Sequence, residues 1–192
     1  MKKILICGDS FAADWTVKYN GIGWPNLLSK EYITTNLAQA GCSEYKIYQQ
    51  LMSINLKRFD KIIISHTSPY RLYVKKHPVH YGDKLHHNSD LIYTDLKEHS
   101  KTNNNLLSIL NYYENYFDLD YASFIHNLIC EKIDNITKDF NVLHITNLNW
   151  NNLYIFPNMV FFENLFKKHR GLINHYTDEG NQIIFNKIKS YL

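Results

Sequence analysis

The feature of this sequence that most limits its fold is a short apolar run, Lys3-Ile-Leu-Ile-Cys7, that opens directly onto Gly8-Asp9-Ser10. A short continuous apolar run bounded by turn residues is typical of a strand buried on both faces, as in a parallel sheet. In such sheets, ligands bind beyond the carboxyl ends of the strands. We therefore expect residues 3–7 to form a strand and Gly8-Asp9-Ser10 to lie in a functional loop.

Further apolar runs alternate with helical patterns along the chain. We predict strands at residues 33–37, 62–65 and 142–145, and helices at 25–30, 43–54, 106–117, 124–136 and from 177 onward. Strands that alternate with helices predict a parallel sheet with helices on both sides. The predicted fold class is therefore α/β: a three-layer α/β/α, flavodoxin-like domain with a parallel sheet of about five strands.

Several residues predict how the helices begin and which faces they bury. Pro25 suits a first helical turn, Ser43 can cap the next helix, and Asp178 and Glu179 suit the first turn of the last one. Apolar residues at helical spacing predict two buried faces: Phe124, Ile125, Leu128, Ile129, Ile133 and Ile136 on one helix, and Ile183, Ile184, Ile188 and Leu192 on the last.

The length of 192 residues, with no Pro/Gly/Ser-rich linker, predicts a single domain over residues 1–192. Residues 73–103 are polar, rich in His and Lys, and without clear periodicity. We expect them to form a long insertion or lid carried by the core.

Composition argues against several functional classes. The formal charge of +3 is small and the basic residues are scattered, so we expect no nucleic-acid partner. No stretch approaches the ~20 apolar residues that span a bilayer. The N-terminal apolar run is too short for a signal peptide, and three cysteines without metal-ligand spacing suggest free thiols, so we expect a cytoplasmic protein.

The loops that follow the predicted strands carry the candidate site residues. They contain Gly8-Asp9-Ser10, Gly41 and Thr67-Ser68, and His175 lies just before the last helix. Because the carboxyl ends of parallel strands share one edge of the sheet, these residues are expected to converge on one crevice. A serine hydroxyl is a weak nucleophile that needs an adjacent base, which a histidine can provide.

In order and position, these residues resemble the pattern of the SGNH (GDSL) hydrolase superfamily over essentially the whole chain apart from the insertion. The resemblance implies acyl transfer from an ester, with Ser10 as nucleophile and His175 as its base. It also implies an oxyanion hole formed by the N–H groups of Ser10 and Gly41, and gives Asp9 a role in organising the loop. No cofactor is implied.

Two positions depart from that family pattern. Ser68 stands where the family has an asparagine that completes the oxyanion hole, and Leu172 stands where it has the aspartate that orients the histidine. We therefore predict a Ser10–His175 dyad, with Ser68 as a substitute oxyanion donor. A backbone carbonyl, such as that of Leu172, is a candidate acceptor for the second ring nitrogen of His175.

Other residues near the predicted crevice have two interpretations each. Thr67 and Arg71 can belong to a substrate-facing wall that includes residues 66–71, with Arg71 binding an anionic group, or Arg71 can be a solvated residue of a turn. Trp15 can stack on substrate or pack beneath the loop. His77, His80, His86 and His87 are interpreted as solvated surface, so we predict no metal site.

The resulting functional prediction is serine-dependent hydrolysis of a carboxylic ester, such as deacetylation of a carbohydrate or a small-molecule substrate. One alternative is an O-acyltransferase that uses the same residues with a sugar as acceptor. Another is a non-catalytic relative that binds a glycan or an acylated ligand. A nucleotide-binding domain is disfavoured because the loop after the first strand lacks a glycine-rich phosphate cradle.

Overall fold

The computed structural model describes residues 1–150 and 152–192. Its strands are β1 (Lys3–Gly8), β2 (Ile33–Asn36), β3 (Lys61–His66), β4 (Arg71–Leu72), β5 (Leu91–Ile92), β6 (Val142–Thr146), β7 (Met159–Phe161) and β8 (Arg170–Ile173). Its α-helices are α1 (Trp24–Ser29), α2 (Glu44–Met52), α3 (Tyr93–His99), α4 (Asn104–Asn115), α5 (Leu119–Thr137), α6 (Glu163–Lys168) and α7 (Asp178–Lys189).

Five of these strands form one parallel sheet in the order β2-β1-β3-β6-β7. Counted within the sheet, this is the flavodoxin-like order 2-1-3-4-5. The strand order reverses beside β1, and the loop after β1 therefore lies at the point where such folds bind ligands. The predicted three-layer α/β/α fold is confirmed.

The two faces of the sheet are covered by different helices because successive side chains of a strand point to opposite sides. Ile4 and Ile6 of β1 pack in one core cluster with residues of α1 and α7. Leu5 and Cys7 pack in the other with residues of α2 and α5. Both strand faces of β1 are therefore buried, which explains its continuous apolar sequence.

The helices differ from prediction in two details. On α5, Phe124, Ile125 and Leu128 are exposed, and the buried face includes Ser123, His126, Cys130, Ile133 and Thr137. On α7, Ile183 is exposed, whereas Ile184 and Ile188 are buried as expected. The prediction for α5 failed because polar side chains, His126 among them, occupy part of its buried face.

The predicted helix starts agree with the structure, and Asp178 and Glu179 lie in the first turn of α7. Thr177 caps α7, with its side chain accepting from the Gly180 N–H, and Pro25 lies in the first turn of α1. Ser43 lies at the N-cap position of α2, but its side chain accepts no capping hydrogen bond.

The segment predicted as a polar insertion has its own structure. Strands β4 and β5 pair antiparallel, and α3 follows directly. Leu85 is buried in a cluster with Ala13, Trp15 and Ile173, next to the loop after β1. The insertion therefore packs onto that loop through apolar contacts.

Two further features concern the whole described chain. None of its helices is both long and apolar enough to span a membrane. The three cysteines, Cys7, Cys42 and Cys130, are free and buried.

Candidate active site

The loop that carries Ser10 begins at Gly8, where a side chain would not fit. A Cβ at this position would lie 2.7 Å from Cβ and 2.8 Å from the carbonyl oxygen of Ser65, and φ is +154°. The Gln50 side chain bonds both backbone groups of Gly8, accepting from its N–H (2.8 Å) and donating to its carbonyl (3.1 Å). The end of β1 is thus fixed to α2 and β3.

Side chains from distant parts of the chain hold the carbonyl groups of residues 10–13. Trp15 Nε1 and Asn174 Nδ2 donate to the Ser10 carbonyl at 2.8 Å and 3.2 Å, and Asn174 also donates to Ala13 at 2.8 Å. The Phe11 and Ala12 carbonyls accept from Trp24 and Asn36, respectively. Because buried carbonyls are costly to leave unpaired, these bonds fix the loop in one conformation.

His175 reaches this loop from the turn between β8 and α7. Its Nε2 atom lies 2.8 Å from Ser10 Oγ. Asn174 and His175 both have left-handed backbone conformations, with φ of 51° and 63°. Such residues cost about 1–3 kcal/mol each and persist only where the surroundings enforce them, as the Asn174 hydrogen bonds do here. The structure therefore brings the two predicted dyad residues together.

The His175 ring lies between two aromatic side chains, with its centroid 4.6 Å from that of Phe11 and 5.3 Å from that of Trp15. Burial lowers the pKa of His175 to about 4, and the positive charges of Arg71 and His86 act in the same direction. The imidazole is therefore neutral at pH 7, and Nε2 can accept a proton from Ser10.

The other ring nitrogen of His175, Nδ1, has no hydrogen-bond acceptor among residues 1–150 and 152–192. The Leu172 carbonyl, the candidate for that role, accepts from the backbone N–H of His175 instead (3.2 Å). The predicted orienting bond from Leu172 is therefore corrected: this carbonyl shapes the turn, and the packing of Phe11 and Trp15 holds the ring.

The resemblance assigns the oxyanion hole to the backbone N–H groups of Ser10 and Gly41. Within the described chain, neither the Ser10 N–H nor the Gly41 N–H donates a hydrogen bond. Gly41 has a φ of +78°, and a Cβ there would lie 2.3 Å from Cβ of Ser89. Position 41 therefore requires glycine. Its N–H is the second oxyanion donor that the resemblance implies.

Ser68 and Arg71 line a cavity of about 480 Å³, whose walls are rich in tyrosine. Ser10 and His175 are not among its lining residues. Ser68 is half-buried. Its side chain forms no hydrogen bond with residues 8–13, all of which the structure describes. The structure therefore puts Ser68 on the cavity wall, and its role as an oxyanion donor stays a prediction.

Asp9 and Arg71 form a buried ion pair directly beside the nucleophile. Arg71 Nη2 lies 3.0 Å from Asp9 Oδ2, and the Phe11 N–H donates to Asp9 Oδ1 at 3.1 Å. Burial raises the pKa of Asp9, and the Arg71 guanidinium opposes that shift. Arg71 is therefore not a solvated turn residue, and Asp9 organises the loop as expected.

The structure also places Thr67, which was predicted on the substrate-facing wall, and Trp15, which was predicted either to stack on substrate or to pack beneath the loop. Thr67 is fully buried, and its N–H donates to Glu44 Oε2 at 3.2 Å, so it faces the core. Trp15 is only 6 % exposed and lies beneath the loop, which fits the packed alternative and leaves little surface for substrate to stack on. Both side chains are therefore buried behind the Ser10 loop and do not face a substrate.

A buried polar chain that the sequence did not predict runs behind the loop. Glu44 Oε1 lies 2.7 Å from His66 Nδ1, and His66 Nε2 lies 2.9 Å from His144 Nδ1. All three residues are buried. In the sequence, each of these three residues is only a histidine or an acidic residue inside or beside an apolar segment. Such a position does not show which residue it will pair with.

The histidines of the insertion are not all solvated, contrary to the prediction. His77 is 1 % exposed and lies near His80 and Asp95, whose side chains pair at 3.1 Å. His77 Nδ1 accepts from the N–H groups of Val79 and His80, so its proton is on Nε2, which points toward Asp95. With that proton in place, Nε2 has no lone pair for a metal ion.

Comparisons with known proteins show a distant similarity to a solved structure. No protein-family model matches the sequence, and no curated protein matches it. A solved structure described as that of a "putative lipolytic protein of G-D-S-L family" from Desulfitobacterium hafniense DCB-2 aligns with 100 % of both chains. The sequence identity is 15 % and the TM-score is 0.41.

Proposed function

We propose that this protein is a serine hydrolase of carboxylic esters that acts through a Ser10–His175 dyad. The observation that carries the proposal is the 2.8 Å contact between Ser10 Oγ and His175 Nε2. A hydroxyl and an unprotonated imidazole nitrogen at hydrogen-bond distance form an activated nucleophile. The N–H groups of Ser10 and Gly41, which donate no hydrogen bond within the described chain, support the same chemistry.

In this mechanism, Ser10 Oγ attacks the ester carbonyl while His175 Nε2 takes the hydroxyl proton. The oxyanion that forms is stabilised by the N–H groups of Ser10 and Gly41. His175 then returns the proton to the leaving alcohol, and an acyl group stays on Ser10. A water molecule, deprotonated by His175, attacks the acyl-enzyme and releases the carboxylic acid and the free serine.

The two alternatives use the same crevice and differ in their chemistry. An O-acyltransferase would pass the acyl group from Ser10 to a sugar hydroxyl, and a non-catalytic relative would only bind its ligand. The neutral, hydrogen-bonded His175 favours a catalytic role over a purely binding role, because binding alone does not need an activated serine. Esters of carbohydrates or of small molecules are the proposed substrate class.

Labelling with a fluorophosphonate probe tests the proposal. We expect the wild-type protein to be labelled covalently at Ser10, and Ser10→Ala and His175→Ala to abolish labelling. Ser190→Ala and His87→Ala change exposed residues of the same types and serve as matched controls, which should label normally. A folded wild-type protein that does not label would favour the non-catalytic alternative.

The pH dependence of hydrolysis gives a second, independent prediction. Since burial lowers the pKa of His175 to about 4, the base is protonated and inactive only below that pH. The acid limb of kcat/KM should therefore have its midpoint near pH 4 instead of the ordinary histidine value of about 6.5. The measurement is kcat/KM for a short-chain ester across this range, with circular dichroism at each pH to exclude unfolding. A midpoint near 6.5 would contradict the burial of the base.

A further inference from the structure

A second group of chemically reactive side chains lies inside the core where α2, β3 and α5 meet. The ligand atoms of Glu44, His66 and Cys130 all lie within 4.8 Å of one another, and all three residues are buried. His126 precedes Cys130 by four residues on α5, so the two side chains lie on the same face of the helix. His126 Nε2 lies 4.0 Å from Glu44 Oε2.

His126 is the unexplained member of this group. It is 4 % exposed, and within the described chain its Nε2 atom is buried without a hydrogen-bond partner. The 4.0 Å separation from Glu44 is too long for a hydrogen bond. Native proteins rarely leave a buried polar atom unpaired, and a bound ion is one way to satisfy it.

We propose that Glu44, His66, His126 and Cys130 bind one Zn²⁺ ion. Carboxylate, imidazole and thiolate are the ligands that zinc takes in proteins, and four of them complete a tetrahedral structural site. Neighbouring ligand atoms around such an ion are about 3.4 Å apart, given zinc–ligand bonds of about 2.0–2.3 Å. The separations among the ligand atoms of Glu44, His66 and Cys130, from 2.7 Å to at most 4.8 Å, bracket that value. His126 Nε2 lies outside this group of three, 4.0 Å from Glu44 Oε2, and would move toward the ion as its fourth ligand.

The surroundings of His66 suit a zinc ligand. A metal-bound histidine donates its other ring N–H to a neighbouring acceptor, which fixes the ring. Zinc on His66 Nδ1 would put the ring proton on Nε2, which lies 2.9 Å from His144 Nδ1. His144 would serve as that acceptor. The hydrogen bond between the two buried histidines would then hold the His66 ring in position to bind the ion.

The protons balance when the ion binds. His66 Nδ1 loses its proton to solvent, Nε2 takes the proton from His144 Nδ1, and His144 takes one at Nε2 from solvent. His144 lines a small surface cavity of about 190 Å³, which gives that exchange a route. The Cys130 thiol loses its proton as the sulfur bonds to zinc, so one net proton is released per ion.

An entry route is also present. Glu44 and His126 both line the cavity of about 480 Å³, so an ion can reach two of its four ligands from that cavity. Binding there is independent of the chemistry at Ser10, because neither Ser10 nor His175 contributes a ligand.

The test is metal binding by this 192-residue chain, freed of metal with a chelator and dialysed. We expect one equivalent of Zn²⁺ to stay bound after desalting, as measured by elemental analysis, and to raise the melting temperature. Co²⁺ in place of Zn²⁺ should give the visible bands of a tetrahedral site and a thiolate-to-cobalt charge-transfer band. Cys130→Ser should remove the charge-transfer band and weaken binding more than about 100-fold.

Cys42→Ser is the matched control, since Cys42 is equally buried but lies outside the group, and it should keep the cobalt spectrum. If Cys130→Ser does not fold, His126→Gln provides the same test through loss of zinc stoichiometry. A folded wild-type protein that retains no stoichiometric zinc, or whose cobalt complex lacks a thiolate band, would overturn the proposal. Unchanged zinc binding in both folded ligand variants would overturn it as well.

Discussion

Replacing either Ser10 or His175 with alanine is expected to lower kcat/KM for a short-chain ester by about 10⁴- to 10⁶-fold, and the double replacement should cost no more than either single one. Ser10 Oγ gives its proton to His175 Nε2 across the 2.8 Å contact. The covalent step therefore needs both side chains, and removing either one has the full effect. Residual activity would come from the oxyanion donors alone. The measurement is a double-mutant cycle on kcat/KM.

The non-additivity in this cycle is more informative than the size of either loss. If the fold losses in kcat/KM of the two single variants multiplied in the double variant, Ser10 and His175 would act independently. The proposed dyad would then be wrong. His87→Ala provides a histidine control because His87 is exposed in the insertion, and its kcat/KM should match the wild type. Circular dichroism should confirm that all variants keep the native fold.

The second large effect concerns stability. Removing the guanidinium in Arg71→Met should lower the free energy of unfolding by about 3–5 kcal/mol, because it leaves the fully buried carboxyl of Asp9 without its charged partner. Neutralising both groups, in Asp9→Asn with Arg71→Met, should recover much of the loss. Urea denaturation measures both values.

A surface pair gives the comparison. Lys167 and Glu163 form an ion pair one turn apart on α6, and Lys167 is largely exposed. Lys167→Ala should leave the urea midpoint almost unchanged, because exposed ion pairs contribute little to stability. If Arg71→Met cost no more than Lys167→Ala, the pair between Asp9 and Arg71 would not stabilise the loop after β1.

The central sheet was predictable because its main strands are buried on both faces and so carry continuous apolar runs. β7 was missed, since Met159–Phe161 is only three residues long and partly exposed. The helix α3 was missed for a similar reason: Leu96 is its only buried residue, and no apolar stripe is visible in the surrounding polar sequence.

Some residues of the candidate site could also be predicted from the sequence, and others could not. Ser10 and His175 became candidates because the predicted topology brings the end of β1 and the start of α7 to one edge of the sheet, and because the residues there resemble a known family pattern. The partner of Asp9 lies 62 residues away and that of Glu44 lies 22 residues away. No local periodicity encodes such pairs, so Arg71 had two open interpretations and the role of His66 was not predicted.

The loop that carries Ser10 has a consequence for synthesis on the ribosome. Asn174, which fixes carbonyls of this loop, is translated 164 residues after Ser10. A nascent chain therefore carries the serine long before the residues that orient it. We expect ester cleavage to begin only after Asn174 and α7 have been made and have docked on the loop, which delays acylation of Ser10 until this part of the fold has formed.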